Sequence, residues 1–158
     1  MNPLDAWLGV FTIVLACLIP VCIYIIIKVR TGHWSDYDVS QRRDRPHLFG
    51  FGLIMLLSTC LVLQLSHQSP VFIRGCMAAI SLVLAASLLN LWLKLSMHAG
   101  FAMLTSCSLW SFETRVALVA MLFAVLVGWS RVTLARHTWQ EVIAGLALGV
   151  VVARIFFA

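Results

Sequence analysis

Long apolar runs broken by short polar stretches dominate the chain. Runs of about 18 residues or more are transmembrane candidates. The spacing predicts helices at roughly 6–28, 48–66, 71–93, 97–112, 115–132 and 139–157. Trp7, Trp92, Trp110, Trp129 and Trp139 fall at the ends of these runs, where amphipathic rings sit at a membrane–water boundary. Pro20 should kink the first helix without ending it, because neighbouring helices can satisfy the freed backbone. The fourth run, about 16 residues, would span only about 24 Å against a hydrocarbon core of about 30 Å. Its first residues, Met97 and His98, would then start below the headgroups. The expected fold is all-α, a bundle of six transmembrane helices forming one domain over residues 1–158, with its active site at one membrane face.

Composition sharpens this picture. Of 158 residues, 62% are hydrophobic and only 11% charged, too few charges to cover a soluble surface. The mean hydropathy is +1.01. The first run lacks a basic start, carrying only Asp5, and is too long for a cleaved signal core, so it reads as a membrane helix. Cys17, Cys22, Cys60, Cys76 and Cys107 lie in apolar runs with no C-x-x-C, the pattern of buried small hydrophobes. The net charge of +5 sits at segment ends, which points to an anionic partner at the membrane surface rather than to nucleic acid.

Helix alternation gathers Lys28, Arg30, Arg42, Arg43, Arg45, Lys94, Arg131 and Arg136 on one face, with His98 and His137 beside them. Arg74, Arg115 and Arg154 fall on the other. Three stretches carry candidate chemistry. In Ser130-Arg131…His137…Glu141, the histidine and the glutamate lie four apart on one helical face. A carboxylate there can take the proton of one ring nitrogen and leave the other as nucleophile or base. Gly145 and Gly149 extend the stripe as a G-x-x-x-G, which lets a neighbouring helix approach. Lys94-Leu-Ser-Met-His98 puts a cation, a hydroxyl and an imidazole at a helix start, where backbone N–H groups favour anions. Arg42-Arg-Asp-Arg-Pro46 alone reads as a basic juxtamembrane loop.

Together these stretches resemble the signature of the type 2 phosphatidic acid phosphatase superfamily: K-x6-R-P, then P-S-G-H, then S-R-x5-H-x3-D. Arg45-Pro46 match the first motif, Ser96 and His98 the second, and Ser130-Arg131, His137 and Glu141 the third, across about residues 38–149. The departures are Asp38 at the lysine position, Leu95 and Met97 for Pro and Gly, and Glu141 for Asp. Arg42, Arg43 or Lys94 would have to supply the missing cation.

The resemblance implies a metal-independent phosphatase without a cofactor, acting on a lipid phosphate within the bilayer. His137 would attack phosphorus, Glu141 would orient its ring, and His98 would protonate the leaving alkoxide and then activate water. Arg45, Arg131, Ser96 and Lys94 would clamp the phosphoryl oxygens, with Ser130 and Arg42 as further donors. Polyprenyl phosphate or diphosphate, phosphatidylglycerophosphate and phosphatidic acid all fit. The resemblance favours the outer face of a bacterial plasma membrane for the site. Lys28 and Arg30, directly after the first helix, favour the cytoplasmic face instead. Three other readings compete: an inactive lipid-phosphate binding or transport protein, supported by Asp38; a metal held by His98, His137 and Glu141; and a vanadate-dependent oxidase.

Overall fold

A computed structural model describes residues 3–158, and all regular structure among them is helical. Helix α1 (Pro3–Ile13) passes through a π-helical turn (Val14–Leu18) into α2 (Ile19–Arg30). Then come α3 (Arg45–Leu65), α4 (Pro70–Leu89), α5 (Met97–Ser108), a 3₁₀ turn (Leu109–Ser111), α6 (Thr114–Thr133) and α7 (Trp139–Phe157). Five stretches are long and apolar enough to cross a membrane: Leu4–Arg30, Arg45–Leu65, Pro70–Leu89, Thr114–Thr133 and Trp139–Phe157. Their outward faces are apolar, with Leu57, Leu61, Leu122, Phe123, Val151 and Ile155 all exposed. This composition fits an integral membrane protein. The five tryptophans predicted at segment ends are exposed, whereas Trp34 is buried.

The predicted fourth span does not form at the predicted length. Helix α5 has 12 residues, about 18 Å, before the chain tightens into the 3₁₀ turn. Ser106 Oγ donates to the Ala102 carbonyl at 2.7 Å and Ser108 Oγ to that of Thr105 at 2.8 Å. Such back-bonding competes with the helical ladder. Helix α4 also ends sooner than predicted, at Leu89, where the chain turns through Asn90.

Two compact units divide the chain, one ending at Ser87 and the other Leu88–Ala158. In the first, the π turn is the local answer to Pro20. The proline ring would clash with the carbonyl four residues back, at Ala16, and the widened turn lies at that point. Leu63, Cys60 and Cys76 form a buried cluster with Ile13, Leu56 and Phe72 against it. A Cβ on Gly9 would meet the Phe72 ring at 2.3 Å, so any larger residue there would have to displace that ring. All five cysteines are free thiols. Cys60 and Cys76 are buried as expected, but Cys22 is exposed on α2.

The polar segment between α2 and α3 is ordered around one carboxylate. Asp36 Oδ1 accepts from the backbone N–H groups of Asp38 (2.9 Å) and Ser40 (3.3 Å) and from Ser40 Oγ (3.0 Å). Oδ2 accepts from Ser35 Oγ at 3.0 Å. These bonds hold Val39 at φ 49°, a costly conformation for a β-branched residue. Val39 is buried, and its carbonyl accepts from Arg45 Nε at 3.3 Å. Trp34 meets Tyr24 edge-on at 5.4 Å, and Tyr24 stacks on Phe51 at 4.2 Å, which anchors the segment to α2 and α3.

Burial opposes ionisation of Asp36, but the hydrogen bonds from Ser35, Ser40 and Asp38 outweigh it and hold the carboxyl below its ordinary value. A depressed folded pKa contributes stability above the unfolded value, and that contribution is lost as pH falls through the folded value. Trp34 fluorescence should therefore report loosening of this segment only below the ordinary carboxylate range, about pH 4. In Asp36→Asn the loosening should already be present at neutral pH. A pH-independent Trp34 signal in the wild type down to denaturation would contradict this role.

Candidate active site

The second unit carries most of the candidate residues, and its geometry starts at the C-terminus of α6. The chain leaves α6 through a Schellman turn: Arg136 N–H donates to the Arg131 carbonyl at 3.0 Å and Ala135 N–H to that of Val132 at 2.9 Å. Ala135 takes the left-handed conformation at φ 54°, where glycine is usual. The Arg131 carbonyl also accepts from His137 N–H at 3.1 Å. The backbone of the nucleophile candidate is thus tied to the residue that carries the arginine candidate.

Thr138 then caps α7. Its hydroxyl accepts from Glu141 N–H at 3.3 Å, and the Glu141 carboxylate accepts from Thr138 N–H at 3.2 Å, a complete capping box. The same oxygen, Oε2, lies 2.8 Å from His137 Nδ1. A carboxylate only accepts, so Nδ1 carries the proton, and in the neutral ring Nε2 keeps the lone pair. The His137 side chain is 6% exposed and that of Glu141 16%. Glu141 therefore fixes both the helix start and the imidazole.

Helix α5 starts beside this pair. Ser96 N–H donates to the Glu141 carbonyl at 3.1 Å. Ser96 is the N-cap of α5, yet its hydroxyl makes no capping bond. It is fully buried, and its Oγ has no hydrogen-bond partner among the described residues. Met97 opens the helix without a positive φ, so a side chain there costs no backbone strain. His98 follows in the first turn and is exposed. Gly145 and Gly149 allow the close approach: a Cβ on Gly145 would lie 2.5 Å from the Ser96 carbonyl oxygen, and one on Gly149 2.5 Å from that of Gly100.

The other candidates divide by what holds them. Lys94 Nζ donates to the Arg136 carbonyl at 2.9 Å, which ties the segment before α5 to the α6–α7 connection. Ser130 Oγ donates to the Val127 carbonyl at 2.7 Å, so its single O–H is committed inside α6. Arg131 stands half-buried in the last turn of α6. Arg45 and Arg42 belong to the first unit. There Arg45 is buried at the first position of α3, and Arg42 is exposed in the preceding segment.

Two hydrogen bonds, Lys94 Nζ to the Arg136 carbonyl and Ser96 N–H to the Glu141 carbonyl, thus tie the segment entering α5 to the α6–α7 region. His98 lies in the first turn of α5 and Arg131 in the last turn of α6. Among the described residues, no group of three His, Cys, Asp or Glu side chains is arranged to hold a metal ion. Thr138 was not singled out from the sequence, although Thr-x-x-Glu before an apolar run signals a capping box. No protein-family model, curated protein or solved structure matches the chain.

Proposed function

We propose that this chain is a membrane phosphatase that hydrolyses a lipid phosphate through a phosphohistidine, a divergent relative of the type 2 phosphatidic acid phosphatases. The observation that carries the reading is the half-buried His137–Glu141 pair beside the unpartnered Ser96 hydroxyl at the start of α5. A neutral imidazole with its proton held by a carboxylate is a ready nucleophile. An uncommitted buried hydroxyl at a helix N-terminus suits a phosphoryl oxygen.

In this mechanism the His137 Nε2 lone pair forms the N–P bond as the bond from phosphorus to the lipid oxygen breaks. His98 gives that leaving oxygen a proton. His98 then takes a proton from water as the water oxygen attacks phosphorus, and the N–P bond breaks to release inorganic phosphate. Glu141 stabilises the imidazolium. Ser96, Arg131 and the α5 N–H groups hold the phosphoryl oxygens. Polyprenyl phosphates, phosphatidylglycerophosphate and phosphatidic acid remain candidate substrates, in a bacterial plasma membrane. Counting α5 with its 3₁₀ turn as a sixth, short membrane element completes the bundle on this reading.

The deciding experiment is phosphate release from a panel of these lipids by detergent-solubilised protein, with and without chelator. Release undiminished by chelator is expected. Binding without release would replace this reading by the lipid-phosphate binding or transport protein, which Asp38 at the motif lysine position favours.

Arg131→Lys keeps the charge but loses the planar fork, so turnover should fall about tenfold or more. Vanadate should inhibit the wild type more strongly than Arg131→Lys. Equal inhibition of the two would exclude direct contact of Arg131 with phosphate.

A further inference from the structure

Thr138, the residue directly after the proposed nucleophile, has no part in the resembled signature, yet it governs where Glu141 sits. Its hydroxyl accepts from Glu141 N–H at 3.3 Å, and its own N–H donates to Glu141 Oε2 at 3.2 Å. That same oxygen lies 2.8 Å from His137 Nδ1. One carboxylate oxygen therefore serves the cap of α7 and the imidazole together. Thr138 is exposed, so its side chain acts through this bond rather than through packing. A glutamate side chain has several rotatable bonds, and holding it in one place costs entropy. The hydroxyl fixes the backbone of residue 141 in the first turn of α7, and the Thr138 N–H fixes its carboxylate. Without the hydroxyl that turn frays, and the two ends of the box lose their fixed separation.

We propose that Thr138 is a positioning residue, whose cap on α7 holds the Glu141 carboxylate where it keeps the His137 proton on Nδ1. The consequence for turnover rests on the phosphatase reading, whereas the consequence for the ring does not. A neutral imidazole without a fixed acceptor shares its proton between both nitrogens. Only the form with a bare Nε2 can attack phosphorus from that atom.

The test uses the full chain in detergent with ¹⁵N-labelled histidines, and NMR reads the His137 ring nitrogens in the neutral form. The His137→Gln spectrum identifies this ring among the five histidines. The wild type and Thr138→Ser should show the proton on Nδ1 and a bare Nε2. Thr138→Val keeps the side-chain shape and loses the acceptor, so both nitrogens should share the proton. Its kcat on a lipid phosphate should fall about tenfold, the size of one lost cap, with KM unchanged. Glu113 caps α6 by accepting from Arg115 N–H at 3.3 Å, so Glu113→Ala removes a cap of the same kind elsewhere in the unit. It should leave the ring signals and turnover unchanged. A wild-type ring signature in Thr138→Val overturns the proposal, as does an equal change in Glu113→Ala or a shared proton in the wild type. Absence of phosphate release by the wild type would overturn the phosphatase reading, and the ring signals would still decide the role of Thr138.

Discussion

His137→Ala is expected to reduce phosphate release by far more than a hundredfold while leaving the protein folded in detergent. The size follows from the proposed role: with no ring nitrogen to form the N–P bond, only binding and oxyanion stabilisation remain, and losing a nucleophile usually costs several powers of ten. The fold should tolerate the change, because the backbone bonds of residue 137 and the Thr138–Glu141 box do not use the imidazole. Brief reaction of the wild type with labelled lipid phosphate should trap an acid-labile, base-stable phosphoenzyme that the variant lacks. Glu141→Gln is a finer probe. It keeps an oxygen for Thr138 N–H but removes the charge that stabilises the imidazolium, so turnover should fall with little loss of stability. A His137→Ala protein that retains more than about a hundredth of wild-type turnover would remove His137 as nucleophile.

The parts of this fold that were legible in the sequence depend on short-range periodicity. The apolar runs gave the long helices to within a few residues, and four-residue spacing put His137 against Glu141. The parts that were not legible depend on contacts distant in sequence or on backbone choices with weak local signals. The Lys94 ammonium donates to a carbonyl 42 residues away, a partner no spacing rule supplies. Ser130 belongs to a matched motif but bonds within its own helix, as serine in a membrane helix often does. The α2–α3 segment looked like a basic loop, because its organiser is a single aspartate that collects four hydrogen bonds. Helix α5 reads as long on hydropathy alone, since the hydroxyls of Ser106 and Ser108 count little there, although they bond back to the ladder.

Gly145→Ala should destabilise the second unit markedly. The added carbon would lie 2.5 Å from the Ser96 carbonyl oxygen, 3.3 Å from its carbonyl carbon and 3.5 Å from its nitrogen. These are backbone atoms at the start of α5, with no flexible side chain to swing aside. Either α5 and α7 separate or the Ser96 N–H to Glu141 carbonyl bond stretches. Overpacking of this kind typically costs about 1–3 kcal/mol. Gly50→Ala is the matched control: it lies in α3 with nothing within 4 Å of the new carbon. Alanine should stabilise that helix by about 0.5–1 kcal/mol. Thermal unfolding in detergent should therefore move in opposite directions for the two variants. If Ser96 holds phosphate, Gly145→Ala should also weaken vanadate inhibition at temperatures where the protein is still folded, and Gly50→Ala should leave it unchanged. Equal unfolding midpoints for Gly145→Ala and the wild type would mean that α5 and α7 do not meet as closely as their glycines allow.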